Sequence, residues 1–208
     1  MKGFLWASGL PRHALPQEEI NALLVKLGRA GKKVVRLKGG DPYVFGRGGE
    51  EADALHEAGV PFEVIPGITS AIAGPAYAGI PVTHRKYCTQ FTVFTGHEDV
   101  NKKESSLDLK GIAGAQGTKI MLMGMQKLAD VCEALTGYGQ EPSTPAAAIQ
   151  WATTGIQRTV TGTVRTLPAK VQKAGLGAPA VVVIGDVVKE RDSLAWFENC
   201  PCSASASW

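Results

Sequence analysis

Apolar positions along the chain alternate between helical and strand-like spacing. Over residues 17–30 they fall at Ile20, Leu23, Leu24 and Leu27, one face of a helix, with Pro16 before the first turn and Gly31 after the last. KKVVRLK (32–38) reads as a short buried strand and GEEADALHEAG (49–59) as a helix with its acids in the first turn, where the helix dipole favours them. VPFEVIPG (60–67) reads as a second strand, and TSAIAGPAYAG (69–79) as a helix of small residues that permits close backbone approach. Helix, strand, helix, strand, helix in that order predicts a parallel sheet.

IPVTHRKYC (80–88) reads as extended. FTVFTGH and TKIMLMG are predicted strands on either side of a polar loop from Glu98 to Gly117. QKLADVCEALTGYG is a helix closed by glycine. TPAAAIQWAT and RTVTGTVRTL form an apparent hairpin turning at Thr154-Gly155. LPAKVQKAG is a helix and APAVVVIGDVV a fully buried strand. The pattern predicts an α/β chain with a domain boundary between His84 and Phe91, so a first domain over 1–88, a second over 89–198, and a disordered tail over 199–208.

Length and composition exclude several classes. At 208 residues, 44% hydrophobic and 20% charged, the chain has the make-up of a globular protein. Its net charge of +3 gives no case for nucleic acid, and it holds no apolar run long enough to span a membrane. MKGFLWASGL carries too short an apolar patch for a secretion signal, so a cytosolic protein is expected. Cys88, Cys132, Cys200 and Cys202 form no Cys-x-x-Cys pair, which predicts neither zinc nor a disulfide framework.

The candidate chemistry lies where the run 34–38 meets Gly39-Gly40-Asp41-Pro42. In parallel sheets ligands sit at the carboxyl ends of strands, and glycine lets a ligand touch backbone. A lone Gly-Gly-Asp is also a common turn, and Asp41 before Pro42 is suited to capping it. GxxxxGK[ST] is absent, and the spacing of Gly46, Gly48 and Gly49 does not match GxGxxG. A nucleotide held without emphasis on phosphate, such as an adenosine carrying a sulfonium, stays open.

Five stretches in order go beyond spacing: VVRLKGGDPYVFGRGGEE, VPFEVIPGITSAIAGPAYAGIPVTHR, MLMGMQKL, PAAAIQWATTGIQRTVTGT and VVVIGDVVKERDSLAWF. Together, from about His13 to Phe197, they resemble the uroporphyrinogen-III C-methyltransferase family. These are S-adenosylmethionine-dependent tetrapyrrole methylases of sirohaem and cobalamin synthesis. The resemblance implies a fold of two α/β domains with the active site in the interdomain cleft, and a homodimer. It implies methylation of two ring carbons of uroporphyrinogen III, at positions 2 and 7, to give precorrin-2.

Matched residue by residue, the resemblance implies that Gly39, Gly40 and Asp41 meet S-adenosylmethionine largely through backbone. It places Val44, Thr69, Ser70 and Met123 against the same cofactor, and Ala152 where many members have glycine. In-line methyl transfer from a sulfonium needs chiefly orientation, which can supply ~7–11 kcal/mol. The substrate's eight carboxylates call for cations, and Arg36, Arg47 and His84 are the candidates. Arg36 has solvent exposure as its alternative role, and His84 a hydrogen-bonded structural one.

The sequence also departs from the family. The earlier first strand, its Gly-Pro-Gly-Asp-Pro loop and the strand ending in Tyr-Asp have no counterpart, and Ser8 stands near the family's lysine. No catalytic residue is therefore assigned. The first domain is expected to be N-terminally truncated, with weak or absent methyl transfer. The competing readings are a non-catalytic remnant that binds cofactor or pairs with a full-length copy, a dinucleotide oxidoreductase, and a methylase of later corrin intermediates.

Overall fold

The computed structural model describes residues 15–96 and 107–198. Ser8, His13, Cys200, Cys202, the expected tail and part of the polar loop lie outside them. The chain divides into two compact units, residues 1–69 and 70–208.

In the first unit, helix α1 (Gln17–Arg29) packs on helix α2 (Gly48–Glu57). Ile20 and Leu24 are the buried positions of α1, on the face that the spacing predicts. The two runs expected as buried strands, 32–38 and 60–67, form no β-ladder among the described residues. Val35 is 80% exposed and Ile65 76% exposed, and Val34, Leu37 and Phe62 also face solvent. A strand forms only against a partner that takes its backbone donors and acceptors, and no described segment lies along these runs. The parallel sheet expected here is therefore not formed within the described residues.

A different linkage holds the first run. The buried Glu51 carboxylate accepts from Lys38 Nζ at 2.9 Å, Arg36 Nε at 3.2 Å and Gln17 Nε2 at 3.2 Å. Burial works against its charge, but these bonds and the charges of Lys38 and Arg36 prevail and hold its pKa below the ordinary value.

The second unit is three-layered around a five-stranded mixed sheet. Helix α3 (Ser70–Tyr77) leads into β1 (Phe91–Thr95), α4 (Leu109–Gly114), β2 (Thr118–Leu122) and α5 (Leu128–Gly137). The hairpin β3 (Pro145–Gln150) and β4 (Arg158–Thr163) follows, then α6 (Leu167–Ala174), β5 (Ala180–Ile184) and the short α7 (Arg191–Leu194). The sheet order is β1-β2-β5-β3-β4, with β1 and β2 parallel and every other pair antiparallel. Residues 80–88, expected as extended, fold instead into a turn with a single bridge from His84 to Cys88.

Alternation along the strands gives each sheet face its own core. Met121, Ala146, Ala148, Val182 and Ile184 face Leu128, Val131, Leu135, Leu167 and Val171 of α5 and α6. Ile120, Leu122, Ala147, Ile149, Val181 and Val183 face Ala71, Ala78, Ile80 and Val187. α3 and Ile80 thus belong to this unit by packing, although they lie before position 88. Each fully buried Val or Ile contributes about 1.5–3 kcal/mol, so the continuous apolar run of β5 anchors both layers. Cys132 is buried in the first of these cores, and burial pushes its thiol pKa up to about 11. Among the described residues no helix is long and apolar enough to cross a membrane, and no group of His, Cys, Asp or Glu is placed to hold a metal ion.

Candidate functional site

The glycine turn of the first unit is fixed by its own backbone and by one carboxylate. Gly40 takes φ of 72°, a conformation that costs a residue with a Cβ. Asp41 Oδ1 accepts the N–H of Tyr43 at 2.8 Å, and Oδ2 accepts the N–H of Gly67 at 3.1 Å. These backbone donors, Gly67 first, hold the Asp41 carboxyl below its ordinary pKa. Asp41 therefore acts as a charged acceptor that shapes the loop, as its position before Pro42 predicts.

The following glycines serve the turn itself. The Gly48 N–H donates to the Pro42 carbonyl at 2.9 Å, and a Cβ on Gly48 would come within 2.5 Å of that oxygen. Gly39 differs, because a Cβ there would meet nothing within 4 Å. The fold does not need its bare backbone, and the space in front of it is open. Val44 and Phe45 stand exposed just beyond.

In the second unit, β2 and β3 both run antiparallel to β5, so Met123 and Trp151 emerge at the same end of the sheet. Both are non-glycine residues in the left-handed region, with φ of 53° and 49°, and Thr153 follows at 69°. Such residues cost about 1–3 kcal/mol each and cluster where ligands are gripped. Met123 is 55% exposed. The 151–154 loop is held by Thr154 Oγ1 donating to the Trp151 carbonyl at 2.7 Å and by the Thr153 N–H donating to Gln157 Oε1 at 2.8 Å. Gln157 in turn donates to Glu198 Oε1 at 2.8 Å and to the Tyr77 carbonyl at 3.2 Å. Glu198 is further held by Thr159 and Arg191. The Ala152 side chain packs into the core, where a Cβ built on Gly74 of α3 would lie 3.4 Å from it. Ser70 opens α3, and Thr69 directly precedes it.

The candidate cations are already engaged. Arg36 reaches Glu51, as described. Arg47 forms a two-point bond with Glu50, at 2.8 and 2.6 Å, and stays half-exposed. His84 accepts the Lys86 N–H on Nδ1 at 3.3 Å inside the bridge turn, with its ring 5.3 Å from that of Tyr87.

Sequence reading missed Gly67, Phe45, Trp151 and Thr153. Pro66-Gly67 carries a turn signal. A left-handed Trp or Thr leaves no mark in sequence beyond its place directly after a strand.

The fold is that of an α/β protein, with a packed core on each face of the mixed sheet of its second unit. Residues 7–168 match the family model described as Tetrapyrrole (Corrin/Porphyrin) Methylases. The chain is 49% identical over 199 residues to the uroporphyrinogen-III C-methyltransferase of Bacillus subtilis, covering 95% of itself and 41% of that protein. It is 50% identical over 182 residues to an S-adenosyl-L-methionine-dependent uroporphyrinogen III methyltransferase of Methanosarcina barkeri, covering 88% of itself and 71% of that protein. Among solved structures, the uroporphyrin-III C-methyl transferase of Thermus thermophilus complexed with S-adenyl homocysteine superposes with a TM-score of 0.69 at 36% identity, over 83% of this chain and 74% of that one. The chain belongs to the tetrapyrrole methylase family. It spans about two fifths of the length of the Bacillus protein.

Proposed function

We propose that the chain carries out S-adenosylmethionine-dependent C-methylation of uroporphyrinogen III at two ring carbons, giving precorrin-2 for sirohaem or cobalamin. The observation that carries this reading is the 50% identity with the Methanosarcina methyltransferase, most of whose length the chain covers. The local geometry supports it. An adenosine-bearing ligand needs bare backbone and apolar side chains open to it: the first unit offers both in Gly39, Gly40 and Val44, and the second offers the exposed Met123.

When bound, S-adenosylmethionine supplies an electrophilic methyl on a sulfonium. Gly39, Gly40 and Asp41 present backbone to it, with Asp41 holding the loop in shape. Val44, Thr69, Ser70, Met123 and Ala152 complete the contacts. Their task is orientation, because the methyl is already reactive and the pyrrole carbon is electron-rich. Arg47, exposed beside the loop, is the first choice for a substrate carboxylate, with Arg36 and His84 after it. No residue is assigned to take the proton that leaves the methylated ring. The reading extends to a cytosolic homodimer with neither nucleic acid nor membrane as partner.

The test is an anaerobic assay of the purified chain with uroporphyrinogen III and S-adenosylmethionine, read by mass spectrometry. Two added methyl groups per tetrapyrrole are expected, where the departures from the family taken alone predict weak or absent transfer. A folded chain that transfers none overturns the proposal.

A further inference from the structure

We propose that the second unit holds a separate binding site for a small oxyanion, a phosphate or carboxylate, at the end of the sheet opposite Met123 and Trp151. The start of β2, the start of β3 and the end of β5 converge there around a recess of about 340 Å³. Five residues of strand at ~3.3 Å each separate it from the Met123 end by about 16 Å. The volume is at the low end for small-molecule sites and far above the ~30 Å³ that one bridging water occupies.

The lining chemistry selects the ligand. Lys119 lines the recess, is only 5% exposed, and has the Ala115 carbonyl, at 2.6 Å from Nζ, as its acceptor. No carboxylate pairs with it among the described residues. A carbonyl takes one of three ammonium hydrogens and leaves the charge unbalanced, and a buried cation without a counter-charge is costly. Burial accordingly lowers the Lys119 pKa. Asp186 is the lining carboxylate, and it is half-exposed and paired with Lys189 at 2.6 Å.

Two more groups await a partner. The N–H groups of Gln116 and Gly117, consecutive on the rim, donate to nothing among the described residues. Ammonium and two backbone N–H groups together are the donor set of an oxyanion site.

The experiment titrates the ¹⁵N-labelled full chain with inorganic phosphate and, separately, with succinate, following the amide resonances of Gln116 and Gly117. Saturable shifts in the millimolar range are expected with one of the two. Phosphate saturating identifies a phosphate site, and succinate alone a carboxylate site. Lys119→Met is expected to weaken the binding by about tenfold or more while Lys119→Arg retains it. If Lys119→Met fails to fold, Lys119→Gln serves in its place and must also weaken binding. No saturable shift with either anion, or unchanged binding in the folded variants, overturns the proposal. Because the recess and the methionine end are separate, the result is independent of whether the chain methylates.

Discussion

The carboxylate of Asp41 accepts the backbone N–H of Gly67 at 3.1 Å, joining the ends of two runs that share no ladder. The approach is close: a Cβ on Gly67 would fall 2.2 Å from the Gly40 carbonyl oxygen. That neighbour is backbone of the proposed cofactor loop and cannot swing aside. Gly67→Ala is therefore expected to weaken S-adenosylhomocysteine binding by more than about tenfold, since a displaced loop loses its backbone contacts. Calorimetry checks the affinity, and circular dichroism should show the second unit's sheet intact.

Glu51 makes the first unit sensitive to acid. Its folded pKa lies below the ordinary 4.5, so its charged form contributes stability that is fully present above that value. The contribution is lost as pH falls through the folded pKa. Glu51→Ala strands Lys38 and Arg36 and is expected to cost about 2–4 kcal/mol, at or below the range for a broken buried pair because both cations are partly exposed. Hydrogen exchange of α1 and α2 amides is the measurement. Protection there should fall in the variant at pH 7, and in the parent only below about pH 4.5.

Gln157 is the post behind the 151–154 loop. It links Thr153, at φ of 69°, to Tyr77 and Glu198. Gln157→Leu keeps the bulk and removes three hydrogen bonds, at about 1 kcal/mol each. Loss of about 2–3 kcal/mol in urea unfolding is expected, with Trp151 fluorescence shifting to that of a looser loop. An unchanged spectrum would show that the loop is held by other means.

How much of this was legible in sequence follows from which contacts are local. α1 is readable from Ile20 and Leu24, and the β3–β4 hairpin from its paired runs, because each carries its own periodicity and termini. Val34–Leu37 and Phe62–Ile65 have the composition of buried strands but stay unpaired, because burial depends on a neighbour that composition does not supply. Residues 80–88 read as extended because Val82 and Thr83 favour strands, yet the His84 carbonyl takes the N–H groups of Tyr87 and Cys88 and closes a turn. Of the site, the flexible backbone of Gly40 is visible as glycine. The left-handed Met123 and Trp151 follow from how the chain leaves the sheet, which no local residue encodes.

Calorimetric titration of the full chain with S-adenosylhomocysteine reads out whether the proposed cofactor contacts hold a ligand. That product needs only the cofactor contacts and no tetrapyrrole. One-site binding in the micromolar range is expected, lost in Gly67→Ala. Absence of binding by a parent chain whose circular dichroism shows it folded would overturn the proposed cofactor site.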